Sequence, residues 1–327
     1  MAETGLRDQI LSLFLSAGDI FLSGEEISQK LGVSRAAVWK HIGHLREIGY
    51  AIEAVPSRGY HLVDQPDLLL SMAVQAGLET QCVGKRIEYF TTTDSTNQRA
   101  QELGEQGAEH GTVVIAEMQR SGRGRMGRTW SSPAGVNLYT SVLLRPSILP
   151  IQAAQLTFLS AVAVARAVEA VSDVEVTVKW PNDILLNGKK LAGLLNEISA
   201  EMEGIHYVVL GIGVNLNMTA EQFPDDLRYP ATSLLLETGG VVERLRFAQE
   251  LYRQLDRLYQ LFCQQGFVPI RLAWESLFAM IGTQVSVDCG GTVFTGAVEG
   301  IAEDGALLLR LASGEQQEIY AGDVRPV

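Results

Sequence analysis

The stretch Gln119-Arg-Ser-Gly122-Arg123-Gly124-Arg125-Met126-Gly127-Arg128-Thr-Trp130 puts four of the chain's 26 basic residues within ten positions, with no acid among them. Guanidinium forks fit phosphate and carboxylate oxygens two at a time, and glycines between them let backbone amides approach a ligand. Like unit charges about 4 Å apart repel by roughly 4 kcal/mol at an effective dielectric near 20. Four such cations therefore point to an anionic ligand; the alternative is a solvated basic loop. Gly122-x-Gly124-x-x-Gly127 also matches the dinucleotide fingerprint, which needs a helix to begin inside it and an acid about 20 residues further on. Trp-Ser-Ser-Pro and a strand near Leu138 follow instead, and the sequence holds no Gly-Lys-Ser/Thr phosphate loop. The anion must be held by something other than the two commonest nucleotide loops.

A second cluster reads Lys179-Trp180-Pro181-Asn182-Asp183, then Asn187-Gly188-Lys189-Lys190-Leu191-Ala192-Gly193. Pro181 stops helix and ladder alike, so Asn182 and Asp183 are expected at a strand end with free side chains. Asn187-Gly188 predicts a tight hairpin that brings Lys190 back alongside. Taken alone, a lysine there is as readily solvated. Counted in twos, Lys190 shares a face with Ala192, Leu194 and Asn196, which predicts a cation in a cleft. Asp94-Ser95-Thr96-Asn97 either caps a helix through Asp94 or Ser95 or touches ligand. Gly211-Ile-Gly213-Val-Asn215 ends a strand with glycines, where a backbone or ligand comes close. His41 and His44 have no acid or cysteine to complete a metal site. No Gly-x-Ser-x-Gly elbow and no covalent nucleophile are found.

A chain of 327 residues, 46% hydrophobic and 20% charged, is too apolar for a disordered protein. Its length suits two domains or three small ones. With 38 acids and a net charge of -12 it does not coat nucleic acid or a membrane, so nucleic-acid contact needs a local patch. Cys82, Cys263 and Cys289 are odd in number and scattered, which fits neither a disulfide framework nor zinc and points to the cytoplasm. The start, MAETGLRDQ, lacks a signal-peptide layout. The most apolar run, 156–165, is too short to span a bilayer, and no membrane partner is expected.

Three blocks position these residues. In residues 1–66, Leu6, Ile10, Leu13, Phe14 and Ala17 form a helical stripe ended by Gly18. Ser23 and Glu26 form a capping box before a second helix, which ends at Gly32. Ser34 caps a third helix with Val38, Ile42, Leu45 and Ile48 inward. Two strands about a Pro-Ser-Arg-Gly turn complete a winged helix-turn-helix. Residues 67–280 hold strands near 87–91, 112–116, 138–144, 175–179, 184–186, 191–198 and 206–211, and helices over 151–171 and 244–263. The Asn187-Gly188 hairpin argues for a mixed, largely antiparallel sheet with helices on one side. Residues 281–327 hold four short apolar runs between glycine turns, a small SH3-like β-barrel. The class is α+β.

The first block carries six basic and eight acidic residues, yet 34–60 has four basic against two acidic. Ser34, Arg35, Trp39, Lys40 and His44 lie on or beside the outward face of the third helix, and Arg58 lies in the wing. Such a face suits the major groove, and a wing arginine suits phosphate or minor groove. The alternative is a winged helix used for protein contacts. A patch this modest implies weak binding by one copy and tighter binding by two on a two-fold site.

The order winged helix, Asp-Ser-Thr-Asn, Gly-Arg-Gly-Arg-x-Gly-Arg-x-Trp, Lys-Trp-Pro-Asn-Asp, Lys-Leu-Ala-Gly-Leu-Leu, Gly-Ile-Gly-Val-Asn resembles the bifunctional biotin protein ligase and biotin operon repressor family over essentially the whole chain. The resemblance implies a central core like that of class II aminoacyl-tRNA synthetases. It implies that biotin and MgATP give biotinyl-5′-AMP and pyrophosphate, and that the acyl group passes to one lysine of the biotin carboxyl carrier protein, the acetyl-CoA carboxylase subunit. By that resemblance Ser95, Thr96, Asn97 and Gln119 contact the biotin head and its neighbours, with Gly193 and Asn215 alongside. Gly122, Arg123, Gly124 and Arg125 close over carboxylate and adenylate, Lys190 sits by the reacting groups, and Trp130 covers the adenine. Arg123, Arg125 and Lys190 are the catalytic set; Asn182 and Asp183 orient phosphate or Mg²⁺. An arginine found in some relatives is Met126 here. Regulation follows the same resemblance: the adenylate orders the loop, favours a homodimer and places two winged helices on a palindromic biotin operator, with carrier protein competing for that surface. Two alternatives stand: a ligand-sensing regulator with an idle ligase core, or a ligase for another cofactor acid such as lipoate.

Overall fold

Serine hydroxyls start two helices of the amino-terminal part, and a left-handed glycine stops one of them. The computed structural model describes residues 6–201 and 204–327, so the expectation about residues 1–5 lies outside the described residues. The chain divides into one unit ending at Leu78 and another beginning at Glu79. In the first, α1 (Leu6–Ala17) buries Ile10, Leu11 and Phe14, with Leu11 taking the inward place predicted for Leu13. Ahead of α2 (Gly24–Leu31) Ser23 Oγ accepts from the Glu26 amide at 3.0 Å, its half of the capping box. The Glu26 carboxylate instead turns to Lys30 Nζ at 2.9 Å, one turn on. Gly32, at φ +66°, makes the left-handed stop that a Cβ disfavours.

Ser34 caps α3 (Arg35–Glu47) through the Ala37 amide at 3.2 Å, and Val38, Ile42 and Leu45 point inward. The hairpin of β1 (Ala51–Val55) and β2 (Gly59–Asp64) is antiparallel. Leu22 and Tyr60 exchange two backbone bonds of 2.8 Å, which fastens the wing to the segment before α2. Gly59, at φ +108°, lies too close to the Leu22 backbone for any side chain. The connection expected from Pro66 onward continues in this unit as α4 (Ser71–Gln75), with Ala73 and Val74 buried.

The second unit is built on a seven-stranded sheet. In chain order its elements are β3 (Ile87–Phe90), α5 (Thr96–Glu105), β4 (Thr112–Ala116), β5 (Leu138–Leu144), α6 (Gln155–Ser172), β6 (Thr177–Lys179), β7 (Asp183–Leu186), β8 (Lys189–Glu201) and β9 (Gly204–Val214). Then follow α7 (Leu234–Thr238), α8 (Arg244–Gln265) and α9 (Val268–Glu275). The strand order is β3-β4-β5-β9-β8-β7-β6, with β3–β4 parallel and the other neighbours antiparallel. Asn187 and Gly188, at φ +52° and +74°, give the predicted tight turn between β7 and β8.

Helices cover both faces of this sheet, not one as the sequence predicted. Ser141 donates to Thr96 and Asn97 of α5 at 2.8 and 2.6 Å, while its neighbour Thr140 shares a 2.8 Å bond with Tyr252 of α8. Successive strand residues point to opposite faces, so α5 and α8 lie on opposite sides. Ala100, Val114, Leu143, Tyr207 and Val209 seal α5 to its face, and each fully buried valine or leucine among them contributes about 1.5–3 kcal/mol. The helical run Pro150–Ser172 is 23 residues, long and apolar enough to cross a membrane by those measures alone, more than the 156–165 run suggested; it is mostly buried inside the protein. α8 opens on a fully buried Arg244, paired with Glu117 at 2.7 Å.

A five-stranded antiparallel sheet closes the chain: β10 (Gln284–Asp288), β11 (Val293–Ile301), β12 (Leu307–Leu311), β13 (Gln316–Ile319) and β14 (Asp323–Pro326), in the order β13-β12-β11-β10-β14. β14 escaped the sequence reading because Val324 is its buried residue and Arg-Pro reads as a tail. Trp180 Nε1 donates to Gly305 O at 3.1 Å, joining this sheet to the central one.

Candidate active site

α5 covers part of its face of the central sheet and leaves the rest as the floor of a cleft. Gly193 of β8 and Gly211 and Gly213 of β9 form that floor. A Cβ at Gly193 or Gly213 would stand 2.9 or 2.7 Å from the Trp130 ring, and one at Gly211 would strike the Asn97 amide. The Trp130 indole thus lies on the glycine floor, its Nε1 buried and unpaired. The cavity holds about 650 Å³, within the range of small-molecule sites. Its walls are Gln119 and residues 123–131, the turn Lys179 to Asp183, parts of the segment from Met218 to Ala231, and Gly322 and Asp323.

The arginine loop is folded on itself. Gly124 N donates to Arg128 O at 2.7 Å and Trp130 N to Gly122 O at 2.8 Å. These glycines therefore serve the loop's own closure: at Gly122 a Cβ would also meet Ser132 Oγ at 2.7 Å. The side chains spread outward, each to a partner. Arg123 donates to Gln98 Oε1 at 3.2 Å, Arg125 to Asn182 Oδ1 at 3.2 Å, and Arg128 to Asp323 at 3.0 Å. Burial pulls the Arg125 guanidinium below its usual pKa, with Asp183 opposing.

Lys190 reaches the cleft by a route the count in twos did not foresee. Ile184 pairs with Ala192 but Leu185 pairs with Lys190, so Leu191 is an extra residue, a β-bulge. The bulge moves Lys190 away from the face of Asn196, which donates to Thr157 of α6 at 3.0 Å. It joins the face of Gly193 instead, where its Cε would stand 3.2 Å from an added Cβ. Lys190 Nζ lies 2.7 Å from Asp183 Oδ1, an ion pair whose geometry is off the line of a hydrogen bond, and 5.4 Å from the Trp130 ring centroid.

Asn182 and Asp183, expected with free side chains, are both engaged: Asn182 Nδ2 donates to Leu194 O at 2.7 Å while its Oδ1 accepts from Arg125. The polar run ahead of α5 is buried. Ser95 stands at the N-cap without a side-chain capping bond, and Asp94 pairs with Arg99. Gln119 replaces them from a distance, its Oε1 accepting from Thr96 N at 2.9 Å and its Nε2 donating to Ser132. Asn97 donates to Leu195 O and Glu197. Asn215 borders the cleft, yet its amide accepts from Asn137 at 3.3 Å and donates to Thr232 O at 3.1 Å. Ser95 to Asn97, Gln119, Gly122 to Arg125, Trp130, Lys190, Gly193 and Asn215 thus share one region, with Asn97, Gln119 and Asn215 holding it together.

The exposed face of α3 is the other candidate surface. Arg35, Trp39, Lys40 and His44 are exposed there, Trp39 by 68%. The Ser34 hydroxyl is engaged as the helix cap. Arg58 in the wing packs its guanidinium 3.9 Å from the Phe21 ring centroid.

Residues 7–61 match an HTH domain, residues 89–215 the biotin/lipoate A/B protein ligase family, and residues 280–325 the biotin protein ligase C terminal domain. The bifunctional ligase/repressor BirA of Bacillus spizizenii is 41% identical over 319 residues, 98% of each chain. That of Escherichia coli is 35% identical over 296 residues, 90% of each chain. The chain belongs to the bifunctional biotin ligase/repressor family. The biotin protein ligase from Aquifex aeolicus in complex with biotin and ATP superposes with a TM-score of 0.66 at 29% identity, covering 74% of this chain and 100% of that one.

Several cleft residues of this ligase/repressor received no role from the sequence. Lys179 stacks its ammonium 4.2 Å from the Tyr229 ring centroid, and burial lowers its pKa against the pull of Asp183 and Asp323. It heads the Lys-Trp-Pro-Asn-Asp motif, which was the available signal. Met218, Phe223, Arg228 and Tyr229 come from a segment without periodicity, and Asp323, which pairs with Arg228 at 2.9 Å, from the unforeseen strand β14. No cluster of three metal-ligating side chains occurs among the described residues. With Asn182 engaged at both ends and Asp183 paired to Lys190, the residues do not fit a resident metal ion.

Proposed function

We propose that the cleft joins a biotin carboxylate oxygen to the α-phosphorus of ATP, breaking the bond to the β-phosphate and releasing pyrophosphate. The amine of a carrier-protein lysine then attacks the acyl carbon, AMP leaves, and an amide bond to biotin results. The observation that carries this is the convergence of Lys190, Arg123 and Arg125 beside Trp130 over one glycine floor. Carboxylate attack on phosphorus gathers negative charge, and cations already fixed in place stabilise it without reorganising. Asp183 and Asn182 supply that fixing, and substrate oxygens replace them as partners of Lys190 and Arg125. Ser95 and Thr96 face the biotin head; Asn97 and Gln119 orient them. Trp130 leaves the floor to cover the adenine. Mg²⁺ enters as part of the ATP substrate, since it binds chiefly to phosphates and water.

The central sheet is read as a class II synthetase-like core and the last five strands as an SH3-like barrel. The domains are read as 1–66, 67–280 and 281–327; the family matches at 7–61 and 89–215 fall within the first two, the match at 280–325 starts one residue before the third, and the compact first unit runs on to Leu78. Through the α3 face and wing the protein represses biotin biosynthesis genes, with Arg35, Trp39, Lys40, His44 and Arg58 toward operator DNA. A homodimer forms on adenylate binding. Beyond Gly193 the β7–β8 pairing ends while β8 runs on to Glu201, an open edge flanked by exposed Ile198, Leu149 and Ile151. The carrier, the biotin carboxyl carrier subunit of acetyl-CoA carboxylase, competes for that surface. Three free cysteines support a cytoplasmic setting.

Incubation with biotin, MgATP and a biotin-acceptor domain, read by mass, should yield one modified lysine. No transfer, with normal adenylate formation, would leave only a sensor of adenylate. Preference for lipoate in direct competition would reassign the acid.

A further inference from the structure

We infer that Glu237 is a positioning residue that sets Lys190 from outside the cleft, by tying the two backbone segments that flank it. The inference rests on Lys190 acting as proposed above. Glu237, on α7, accepts from Asn187 Nδ2 at 2.6 Å and from Lys189 Nζ at 3.0 Å, both in the β7–β8 turn that delivers Lys190. It also accepts from Thr232 Oγ1 at 2.6 Å. The segment around Thr232 runs beside Lys190 as a short parallel bridge: Lys190 N donates to Pro230 O at 2.8 Å and Thr232 N to Lys190 O at 2.9 Å. One carboxylate thus links the turn before the lysine to the chain beside it.

The side chain of Glu237 is 11% exposed. Hydrogen bonds from Thr232, Asn187 and Lys189, in that order, hold its carboxyl at about 2, so it is ionised whenever the enzyme works. The tie has an anchor on the core side, where Asn215 Nδ2 holds Thr232 O and Asn137 holds Asn215. A bulge is a yielding place in a ladder, since the extra residue has no cross-strand partner. Lys190 adjoins that bulge, and the Glu237 tie supplies the fixing that the ladder does not. A misplacement of about 1 Å can cost on the order of 100-fold in rate. Glu237 touches no reacting atom, so its loss should lower kcat for adenylate formation and leave substrate binding largely intact.

The test is biotin-dependent ATP–pyrophosphate exchange on the full chain, with Glu237→Gln, Asn187→Gly, Lys190→Ala and the Glu237→Gln/Lys190→Ala double variant. Glu237→Gln should lower kcat about tenfold with both KM values within about twofold, and Asn187→Gly, which cuts a single side-chain bond and keeps the positive φ of the turn, should lower kcat less. In the Lys190→Ala background Glu237→Gln should cost nothing further, whereas a merely structural residue would add its loss to that of the lysine. Unchanged kcat in Glu237→Gln, or additive losses in the double variant, overturns the inference. If Glu237→Gln fails to fold, Asn187→Gly carries the same decision. An inactive parent refutes the functional reading itself, a separate outcome.

Discussion

The cations of the cleft and those on the exposed face of α3 differ in how they are held. In the cleft, Lys190 has Asp183, Arg125 has Asn182, Arg128 has Asp323 and Arg123 has Gln98. On α3, Arg35 and Lys40 are exposed and have no side-chain partner among the described residues. The contrast follows from the two tasks. Charge developing at phosphorus is stabilised only by groups already in position, whereas a DNA backbone is neutralised by mobile cations that displace its counterions. A chain of net charge -12 can thus bind two kinds of polyanion, one by fixed geometry and the other by a local patch.

The sharpest way to break this contrast is Lys190→Ala. Exchange of pyrophosphate should fall by about 10²–10³-fold, and near-parent exchange would show that the held cation is idle. Arg125→Gly should still form adenylate but release it roughly 10–100-fold faster, the loss of one charge-assisted bond; adenylate retention on gel filtration measures it. On the other surface, Arg35→Ala or Lys40→Ala should weaken operator binding a few-fold and flatten the slope of log K against log salt by about one per phosphate lost. Exchange activity in those variants should match the parent.

The smallest effect concerns the hold itself. Glu237 is depressed from the usual carboxylate value to about 2, so its stabilisation is full above about pH 4.5 and is lost as pH falls toward 2. The Tm gap between parent and Glu237→Gln should therefore be widest at neutral pH and narrow on acidification below pH 4.5. A gap independent of pH would mean that the carboxylate charge does no holding.

The sequence made legible what periodicity and punctuation encode. Ser34 and Gly32 mark helix ends by local chemistry, and Asn187-Gly188 marks a turn because both residues tolerate positive φ. The arginine loop was visible as composition. Its partners were not, since Arg128 to Asp323 spans 195 positions and Arg125 to Asn182 spans 57. The second helical layer was missed because which face a helix covers is decided by pairing order, which no single strand carries. Lys190 was assigned to the cleft for a mistaken reason: alternation was assumed to be unbroken, and the bulge at Leu191 reversed it.

That surplus residue makes chemistry a matter of arithmetic along one strand. Deleting Leu191 would give an even pleat in which Lys190 stands two places before Gly193 and so keeps the cleft face. What the surplus residue disguises is the side: a reader who trusted the letters of the motif without the pairing would hang the ammonium on the wrong surface of the sheet.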